Sequence, residues 1–577
     1  MDSCLRFPCC GWLFNAANTG KRTSTGTSRL DVRDRPGTVF RQTHGQRAPY
    51  AAATTALFPE YDMSRPTLFA AVLIAVASGQ ARADTFTVTS TASVGPGTLY
   101  QAIDDSNQIP GPHSIAFDLP ADSVIAMQHQ PVPVISSVLS IDGANVPGLV
   151  LDGADVVRLF HVAGPNSEFT LANIEVRRGR GSRRGGCLFV QAPTKTTAGK
   201  VTLDTVVMRG CQAVRNASNE TVSGGAIYLE GRDMSVINSQ FLDNETYSVD
   251  PGLATVATGG AIAVVIESQH TVLIQDSQFI ANRVTGSSAS GSGCCRAKGA
   301  VIDASGSGLI VVEGSRIIAN QGRTLDFSTD MGGIIKSTMS TSLKNNLFFD
   351  NDSIGTMINL EMGWSPGSFV RIHNNTLVAN RTEFGTSIFL YAVADASLIN
   401  NTFLSWISPG HPLPHLRVAG HGTTPNALIL GHNLFGPADS RWPDPARPLC
   451  QIHEGVDVEH HHNQIYGAAN DCGPTLDPDA ADLRIEALRD NGGLVETVSV
   501  LQGSPILDAG NPLPPLANDP TRCQTNDARY FPRPRDGDGD GEAICDVGAW
   551  ESQREAPLFR DDFQPVLWRP EPAAAAF

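Results

Sequence analysis

A tetrapeptide that recurs through the middle of the chain limits the fold more than any other feature of the sequence. A second motif, built on a glycine pair, alternates with it, and copies of the first begin 26 to 38 residues apart. Internal repeats of that length are typical of solenoids, in which each repeat is one structural unit. The first motif is FLDN (241–244), FIAN (279–282), IIAN (317–320), FFDN (348–351) and LVAN (377–380), with fainter copies at 176–179, 207–210 and 403–406; the second is GGCL (185–188), GGAI (224–227 and 259–262), KGAV (298–301) and GGII (332–335).

Short apolar runs between the motifs have the character of β-strands. Residues 226–229, 261–266 and 272–274 are rich in β-branched or aromatic side chains and are bounded by Gly, Asn and Ser. None of these runs has the period of 3.6 that a helix needs. A unit of about 30 residues with two or three short strands cannot bury its apolar face alone, whereas stacked coils of a parallel β-helix bury it between neighbours. The repeats therefore predict an all-β chain wound as a parallel β-helix.

The spacing also predicts what each position of the repeat does. The first apolar residue of each copy, such as Phe241 or Phe279, is expected in the interior, stacked on its equivalents. The final Asn is expected at a turn, where Asn tolerates left-handed backbone and can join a ladder of side-chain amides. The longer steps predict insertions at 246–258 and 283–297, which in a solenoid lie on one face.

The interleaved GGAI and FxxN tetrapeptides resemble the repeats of polymorphic outer-membrane proteins, whose passengers are right-handed β-helices. The two ends of the chain resemble the choice-of-anchor Q proteins with CSLREA-type starts. The matching stretches are 97–107 with 114–120 near the N-terminus, where Tyr100 replaces that family's Arg, and DNGG (490–493), GSPILDAGN (503–511) and CDVGAWE (545–551) near the C-terminus. The resemblance implies a right-handed parallel β-helix over about residues 84–551.

Both ends of such a solenoid need a cap. Thr98 is a suitable N-cap residue, and Leu99, Ala102 and Ile103 share one helical face, so a short helix is expected to close the first coil. A compact capping region is expected at the C-terminal end.

The first 83 residues are interpreted as an extension and a leader. A basic start, an apolar run over 68–77 and an A-x-A site at 81–83 predict a secretory signal peptide cleaved after Ala83. The 62 residues before it are interpreted as the result of a start codon placed too early, and a genuine long presequence is the alternative. The expected organisation is extension 1–62, signal peptide 63–83, N-terminal cap and first coils 84–165, β-helix repeats 166–435, C-terminal coils and cap 436–551, and a disordered tail 552–577.

Cysteine usage agrees with export. Eight cysteines follow the leader, and an even count in a secreted chain suggests disulfides. Three pairs have similar separations, and they are Cys187 with Cys211, Cys450 with Cys472, and Cys523 with Cys545. The adjacent Cys294 and Cys295 either close on each other or stay reduced. Unpaired buried thiols are the alternative, since eight cysteines allow 105 pairings.

Two clusters could bind ligands. Asp536, Asp538 and Asp540 alternate with glycines like the first half of a calcium loop, although Val547 stands where the bidentate Glu belongs. Asp546 or Glu551 could compensate only with a different geometry, and a solvated acidic turn is the alternative.

Five arginines stand within eight residues and could bind a sulfated or uronic polysaccharide or a lipopolysaccharide phosphate, although a solvated turn is the commoner outcome. They are Arg177, Arg178, Arg180, Arg183 and Arg184.

Other polar groups are interpreted as structural. His453 with the run His460, His461 and His462 could ligate a metal, but no carboxylate or Cys partner stands at a set spacing. The pair Asp350 and Asp352 is expected in a turn, where a β-helix is rich in Asp.

These features favour a secreted or cell-surface protein that binds glycans or other surfaces without catalysis, as an adhesin or passenger. The net charge of −16 excludes wholesale binding to nucleic acid. The sequence contains no run of 18 apolar residues, so it predicts no transmembrane helix. A polysaccharide lyase or hydrolase is the first alternative, because its residues could come from different coils. An envelope scaffold without ligand is the second. No cofactor other than Ca²⁺ is expected.

Overall fold

The computed structural model describes most of the chain from Ala83 to Gln553. The described residues are 83–109, 111–128, 132–193, 198–215, 220–248, 255–267, 269–286, 297–324, 333–362, 367–404, 414–420, 426–436, 449–466, 471–473, 475–476, 483–516 and 519–553. The extension 1–62, the leader except Ala83, the Cys294–Cys295 pair and the tail beyond Gln553 lie outside them. In the described part, no helix has the length and apolar character needed to cross a bilayer.

The fold is all-β and is the right-handed parallel β-helix that the repeats predict. Strands of successive coils pair in parallel, as Phe241 opposite Phe279 and Ile227 opposite Ile262 illustrate. Four parallel sheets of 24, 11, 7 and 3 strands run along the described coils, and we number them sheets 1 to 4 in that order. In each full coil the chain passes from sheet 2 to sheet 1 and then to sheet 3, with sheet 4 inserted in three coils.

Sheet 1 consists of two stacks that meet at a turn, which we call the first turn. The stack before the turn contains Thr85–Val88, Pro112–Phe117, Val138–Asp142, Asp233–Ile237, Thr271–Gln275, Leu309–Glu313, Ser340–Lys344, Phe369–His373, Asp395–Ile399, Asn426–Gly431 and Val456–His461. The stack after it contains Val124–Ala126, Val150–Asp152, Gln240–Leu242, Gln278–Ile280, Arg316–Ile318, Leu347–Phe349, Thr376–Val378, Thr402–Leu404, Leu434–Phe435, Gln464–Tyr466 and Thr475–Leu476. Two longer strands, Glu168–Arg177 and Lys200–Arg209, belong to both stacks.

The other sheets have shorter strands. Sheet 2 contains Val134–Ile135, Phe160–Ala163, Leu188–Gln191, Ile227–Glu230, Ile262–Ile266, Ile302–Gly306, Ile335–Ser337, Ile358–Glu361, Ile388–Tyr391, Leu416–Ala419 and Cys450–Ile452. Sheet 3 contains Arg180–Ser182, Gln212–Arg215, Glu245–Ser248, Arg283–Gly286, Gln321–Thr324, Asp352–Ser353 and Arg381–Thr382. Sheet 4 contains Glu220–Ser223, Thr255–Thr258 and Ala297–Lys298.

The single helix of the described residues, Leu99–Gln108, lies where the sequence predicts it. Thr98 is its N-cap, and the Thr98 side chain accepts a hydrogen bond from the Gln101 N–H. Leu99, Ala102 and Ile103 are buried and belong to the main core. The helix therefore covers the apolar interior of the first coils, as predicted.

The core is a set of columns of identical or similar side chains. Phe241 and Phe279 are fully buried and stack with ring centroids 4.8 Å apart and planes 7° apart. Phe403 and Phe435 repeat this arrangement at 4.7 Å. The prediction that these positions line up between coils is confirmed. The fainter copy at 207–210 was placed one residue early, because Met208 and not Val207 lies opposite Phe241.

The last Asn of the repeat forms a buried ladder, as predicted. The Asn282 Nδ2 donates to Asn320 Oδ1 at 3.0 Å and also to the Phe241 carbonyl of the preceding coil. The expectation that this Asn takes the left-handed conformation was wrong. The residue before it takes that conformation, as at Ala281 (φ 57°) and Ala319 (φ 54°), which leaves the Asn side chain free to point inward.

A second ladder at the first turn was not expected. Its early members are serines, and Ser239 N donates to Ser277 Oγ at 3.1 Å. Its later members are asparagines, with Asn375 Nδ2 donating to Asn401 Oδ1 at 3.0 Å. The residue before each ladder member is left-handed, as at Asn374 (φ 56°). The Asn-Asn dipeptides at 345–346, 374–375 and 400–401 are the sequence signal of this ladder.

The described residues of 483–553, which we call the lateral segment, have no long strands and lie along the outside of the first turn. We expected a cap over the C-terminal end, whereas the lateral segment contacts the side of the coils from Glu313 to His432. The reason is that the outward side chains there are apolar, as at Val378 and Leu404, and pack against Ile506 and Val547 of the segment. The polar contacts are Arg316 Nε to Glu496 Oε2 (2.8 Å), Tyr530 Oη to Glu313 Oε1 (3.2 Å), Asn374 Nδ2 to Asn526 O (2.8 Å), Gln524 N to Asn400 Oδ1 (2.9 Å), Ala549 N to Thr402 Oγ1 (2.8 Å) and Gly548 N to His432 O (2.8 Å).

All three predicted disulfides are present. Their Cα–Cα distances of 5.5, 5.8 and 6.5 Å lie in the range that disulfides adopt. They are Cys187–Cys211, Cys450–Cys472 and Cys523–Cys545.

Candidate functional site

The five clustered arginines do not form one patch. Arg177 and Arg178 both reach the buried carboxylate of Asp152, at 2.8 and 2.6 Å. Burial acts to raise the pKa of Asp152, but the hydrogen bonds from Arg178, the Ala154 backbone and Arg177 outweigh it and lower that pKa. This first pair of arginines therefore holds a turn together and is engaged by its own carboxylate.

The last two arginines of the cluster are engaged on another side of the coil. Arg183 Nε lies 3.6 Å from Glu220 Oε2, and Arg184 Nη1 lies 3.7 Å from Glu230 Oε2. The Arg184 guanidinium also lies over the Tyr228 ring, 4.6 Å from its centroid. Exposed pairs of this kind contribute little to stability, typically less than about 1 kcal/mol. They do, however, use much of the positive charge of the cluster.

Arg180 lines a concavity of about 470 Å³ at the N-terminal edge of sheet 3. Two further arginines, from different coils, share this concavity with it. The lining residues are Val156, Arg158, Arg180, Gly181, Ser182, Val214 and Arg215. Three arginines and two valines thus line one opening in a protein whose net charge is −16. We call it the arginine concavity.

Arg158 is the best-held member of this group. Its Nε donates to the Gly185 carbonyl at 2.8 Å and its Nη2 to the Arg184 carbonyl at 2.7 Å. Its guanidinium lies 4.8 Å from the centroid of the Phe189 ring. Burial lowers the pKa of Arg158 to about 10, so it is still a cation at neutral pH. Backbone carbonyls and a ring face therefore orient a charge that no carboxylate of the described residues neutralises.

The other two arginines differ in their partners. Among the described residues, no carboxylate forms an ion pair with Arg180. Arg215 pairs with Glu220, which Arg183 also approaches. The concavity therefore carries an excess of positive charge, and guanidinium groups bind carboxylate, sulfate and phosphate in bidentate geometry.

A row of rings lies beside the concavity on sheet 2. The His161 and Phe189 rings stack at 4.8 Å, and the Phe189 and Tyr228 rings follow at 5.7 Å. These residues occupy equivalent outward positions of three successive coils. Neither this row nor Arg158 was predicted from the sequence. A local signal was the aromatic residue four positions after the first Gly of GGCL (Phe189) and of GGAI at 224–227 (Tyr228).

Sheet 2 also carries a cluster of charges in its middle coils. Lys336 Nζ lies 2.5 Å from Glu361 Oε2, and Asp303 lies opposite Lys336 in the strand pairing. Burial raises the pKa of Asp303, while the charges of Lys298 and Lys336 oppose that rise. Acids and bases from separate coils thus converge here, which the sequence analysis did not identify.

The predicted calcium ligands are partly brought together. Oxygen atoms of Asp536 and Asp538 lie within 4.8 Å of each other and of Asp508, so these three could hold a hard cation. Asp540 is outside that group, and its Oδ1 accepts a hydrogen bond from the Glu542 N–H. Asp508 was missed because it lies far away in sequence. Calcium binding stays a prediction.

Asp546 and Glu551 are not members of that group, although Asp546 Oδ1 accepts a hydrogen bond from the Asp508 N–H at 2.9 Å. Both are fully buried, and Glu551 pairs with Arg533 at 2.8 Å while accepting a hydrogen bond from the Asp546 N–H. Burial raises the pKa of Asp546 to about 6 and that of Glu551 to about 8. Their role is to hold the lateral segment together.

The predicted histidine and aspartate groups have separate structural partners. His453 Nε2 accepts from Arg417 Nε at 3.0 Å, and His461 lies 2.8 Å from Glu459. His462 stacks against His432, with ring centroids 5.5 Å apart. Asp352 pairs with Arg323. The structural interpretation of these groups is therefore the better supported one.

Comparison with known proteins gives no family. No family model matches the chain, and no curated protein matches it. Among solved structures, the crystal structure of pectate lyase Pel9A aligns with a TM-score of 0.34 and 12% identity, over 82% of this chain and 98% of that one. At that TM-score the likeness supports no functional conclusion, and membership of the choice-of-anchor Q family stays a prediction.

Proposed function

We propose that this protein is a non-catalytic binding protein of adhesin or passenger type, and that the arginine concavity binds an anionic saccharide. The observation that carries the proposal is the convergence of Arg158, Arg180 and Arg215 on one opening. Two of the three have no carboxylate partner among the described residues, so a ligand anion would complete their charge pairing. Sulfate esters and uronic acids supply that charge on a glycan.

The surroundings suit a sugar as well as a charge. Val156 and Val214 provide apolar surface in the same opening, which the C–H faces of a pyranose ring can cover. Arg158 is held by two carbonyls and a ring before any ligand arrives, so little side-chain entropy is lost on binding. Preorganised guanidinium groups with apolar neighbours are what an anionic glycan needs.

We also propose that the protein acts outside the cytoplasm, in the secreted or surface-exposed state. Three disulfides among the described residues suit an oxidising compartment. The leader predicted over 63–83 would provide the export signal.

The experiment is a binding measurement on the full chain by calorimetry. The probes are heparin oligosaccharide, polygalacturonate and alginate, with neutral dextran as the control glycan. We expect binding to at least one anionic probe and none to dextran. Arg158→Gln and Arg180→Gln should each weaken binding roughly 10- to 100-fold, because each removes a charge-assisted hydrogen bond. The control Arg371→Gln removes an arginine that pairs with Asp395 on sheet 1 and should change nothing.

Two results would contradict the proposal. One is equal affinity of the parent and both concavity variants. The other is equal binding to dextran and to the anionic probes. An affinity that does not fall with added salt would also count against it, since exposed charge pairs are screened.

A polysaccharide lyase or hydrolase is the second candidate, and the charge cluster on sheet 2 favours it. Asp303, Lys336 and Glu361 bring acids and a base together from three coils. A release assay on pectate, alginate and glycosaminoglycans, with and without Ca²⁺, tests this candidate. Turnover that is lost in Asp303→Asn and in Lys336→Gln, but kept in Arg180→Gln, would establish it and overturn the non-catalytic proposal.

A further inference from the structure

His432 is a buried residue whose polar atoms are unsatisfied. It lies at the first turn after strand Asn426–Gly431, with φ of 58°, and it is fully buried. Neither ring nitrogen has a hydrogen-bond partner among the described residues. An imidazole has a donor and an acceptor or two donors, and leaving a buried polar group unpaired costs free energy. Among the described residues, the His432 ring therefore has no group that satisfies its nitrogen atoms.

Two sulfur atoms of the lateral segment stand beside this ring. The Sγ atoms of Cys523 and Cys545 and a ring nitrogen of His432 all lie within 4.8 Å of one another. All three residues are buried. A neutral imidazole and two thiolates are ligands that a soft divalent cation prefers.

We propose that His432, Cys523 and Cys545 form a binding site for a soft divalent cation such as Zn²⁺ once the Cys523–Cys545 disulfide is reduced. Two thiolates and one imidazole are a set of ligands that tetrahedral zinc accepts, with a water molecule in the fourth position. The ligands come from two parts of the molecule, since His432 belongs to a coil and both cysteines belong to the lateral segment.

The chemistry balances with a dithiol as the reductant. The disulfide takes two electrons and two protons from the dithiol and becomes two thiols, while the dithiol is oxidised to its own disulfide. Zn²⁺ then replaces both thiol protons, which pass to solvent, and binds the neutral ring of His432. The thiolates cancel the charge of the metal, so the buried site gains no net charge.

The site would change what holds the lateral segment in place. The Cys523–Cys545 disulfide joins the segment only to itself. A metal on His432 would join the segment to the coils directly. The segment would then keep its attachment under reducing conditions, where the disulfide is lost.

The test is a Co²⁺ titration of the full chain after reduction with a phosphine and removal of the reductant under nitrogen. We expect one equivalent of Co²⁺ with thiolate charge-transfer absorption in the near ultraviolet and tetrahedral d–d bands in the visible, displaced by Zn²⁺. The oxidised protein should show neither. The matched control Cys450→Ser/Cys472→Ser removes another disulfide pair and should keep the bands.

Two variants assign the ligands. Cys523→Ser/Cys545→Ser should lose the charge-transfer absorption, and His432→Phe should lose the tetrahedral bands. If His432→Phe fails to fold, as judged by circular dichroism, the cysteine pair and its control still decide the question. Absence of the bands in the reduced parent, or bands that survive in Cys523→Ser/Cys545→Ser, would overturn the proposal.

Discussion

The coils and the lateral segment bury polar side chains in different ways. In the ladders of the coils the buried polar groups are neutral amides, and Asn351 bonds to its equivalents Asn320 and Asn380 in the coils on either side. In the lateral segment they are pairs of an arginine and a carboxyl group, Arg529 with Asp527 and Arg533 with Glu551, all nearly inaccessible to solvent. A repeat always offers an identical partner one coil away, whereas a non-repeating segment has to find complementary partners within itself.

This difference teaches where the molecule is sensitive to its surroundings. A neutral amide ladder does not titrate and is not screened by salt. A buried ion pair is costly to break because the remaining partner stays charged in a region of low dielectric constant. The ladders of the coils should therefore be stable over a wide range of conditions, while the lateral segment should respond to pH, charge removal and metal ions. Peptide-resolved hydrogen exchange measures the two regions separately.

The largest effect is expected from Arg533→Met. Arg533 donates to Glu551 Oε2, the Asp546 carbonyl and the Gly548 carbonyl, each at 2.8 Å. Its loss leaves the buried Glu551 carboxyl group and two backbone carbonyls without their donor, so we expect the lateral segment to lose about 4 kcal/mol of stability. Hydrogen exchange should accelerate in 483–553 and stay unchanged in the early coils.

Arg535→Met is the matched control. Arg535 is exposed, and its contact with Glu551 comes from its backbone N–H, which the substitution keeps. Equal protection of 483–553 in the parent and in Arg533→Met would show that this ion pair does not hold the segment.

A smaller effect is expected in the coils from Asn351→Ala. The change leaves the Asn320 amide and N–H without an acceptor and the Ile317 carbonyl without a donor. We expect a loss of about 3 kcal/mol in the free energy of unfolding of the coils. Gln321→Ala, at a half-buried position of strand Gln321–Thr324, should cost less than about 1 kcal/mol. A similar loss in the two variants would contradict the importance of the ladder.

The repeats explain why so much of the fold was predictable. Each coil samples the same environment, so the sequence shows the inward position of Phe241 and Phe279 again and again. The turn geometry was harder, because an Asn that tolerates left-handed backbone can equally serve as a ladder residue, as Asn282 does with Ala281 before it.

The candidate sites were harder still, because they depend on contacts between distant parts of the chain. Arg158 and Arg180 come from different coils, and Arg158 has no neighbouring arginine to draw attention to it. Asp508 joins Asp536 only because the lateral segment folds back on itself. The position of that segment was hidden as well, since it has no period from which its neighbours could be inferred.

The response to pH should separate the two regions further. The folded-state pKa values of Asp546 and Glu551, about 6 and about 8, lie above their ordinary values, so their contribution to stability is complete in acid and is lost as the pH rises. We expect the lateral segment to weaken as the pH rises from about 4 to about 8, between the ordinary pKa values of these carboxyls and their folded-state values. Exchange at the ladder residues of the coils, corrected for its intrinsic pH dependence, should not follow.

Glu551→Gln is the control for this response. It removes the group with the higher pKa and should flatten the slope above pH 7. A slope that persists unchanged in Glu551→Gln would assign the pH dependence to other groups.

The smallest effect is expected from calcium. If Asp508, Asp536 and Asp538 bind Ca²⁺, a concentration tenfold above the dissociation constant should stabilise the lateral segment by about 1.4 kcal/mol, and a chelator should reverse it. Asp538→Asn should abolish the effect, while Asp540→Asn should keep most of it because Asp540 lies outside the group. No change in exchange on adding Ca²⁺ would exclude the site.

The spans of the disulfides have a consequence for a cut chain. The paired cysteines are 24, 22 and 22 residues apart in sequence, so each bridge closes a short loop. A proteolytic nick between Cys211 and Cys450 would therefore leave two fragments that no disulfide of the described residues joins. Beyond Glu313 the lateral segment would still bridge such a nick from outside. If the nick lies between Cys211 and Glu313, the fragments would be held together by the strand pairing and packing of neighbouring coils. A denaturant would then separate them without any reducing agent.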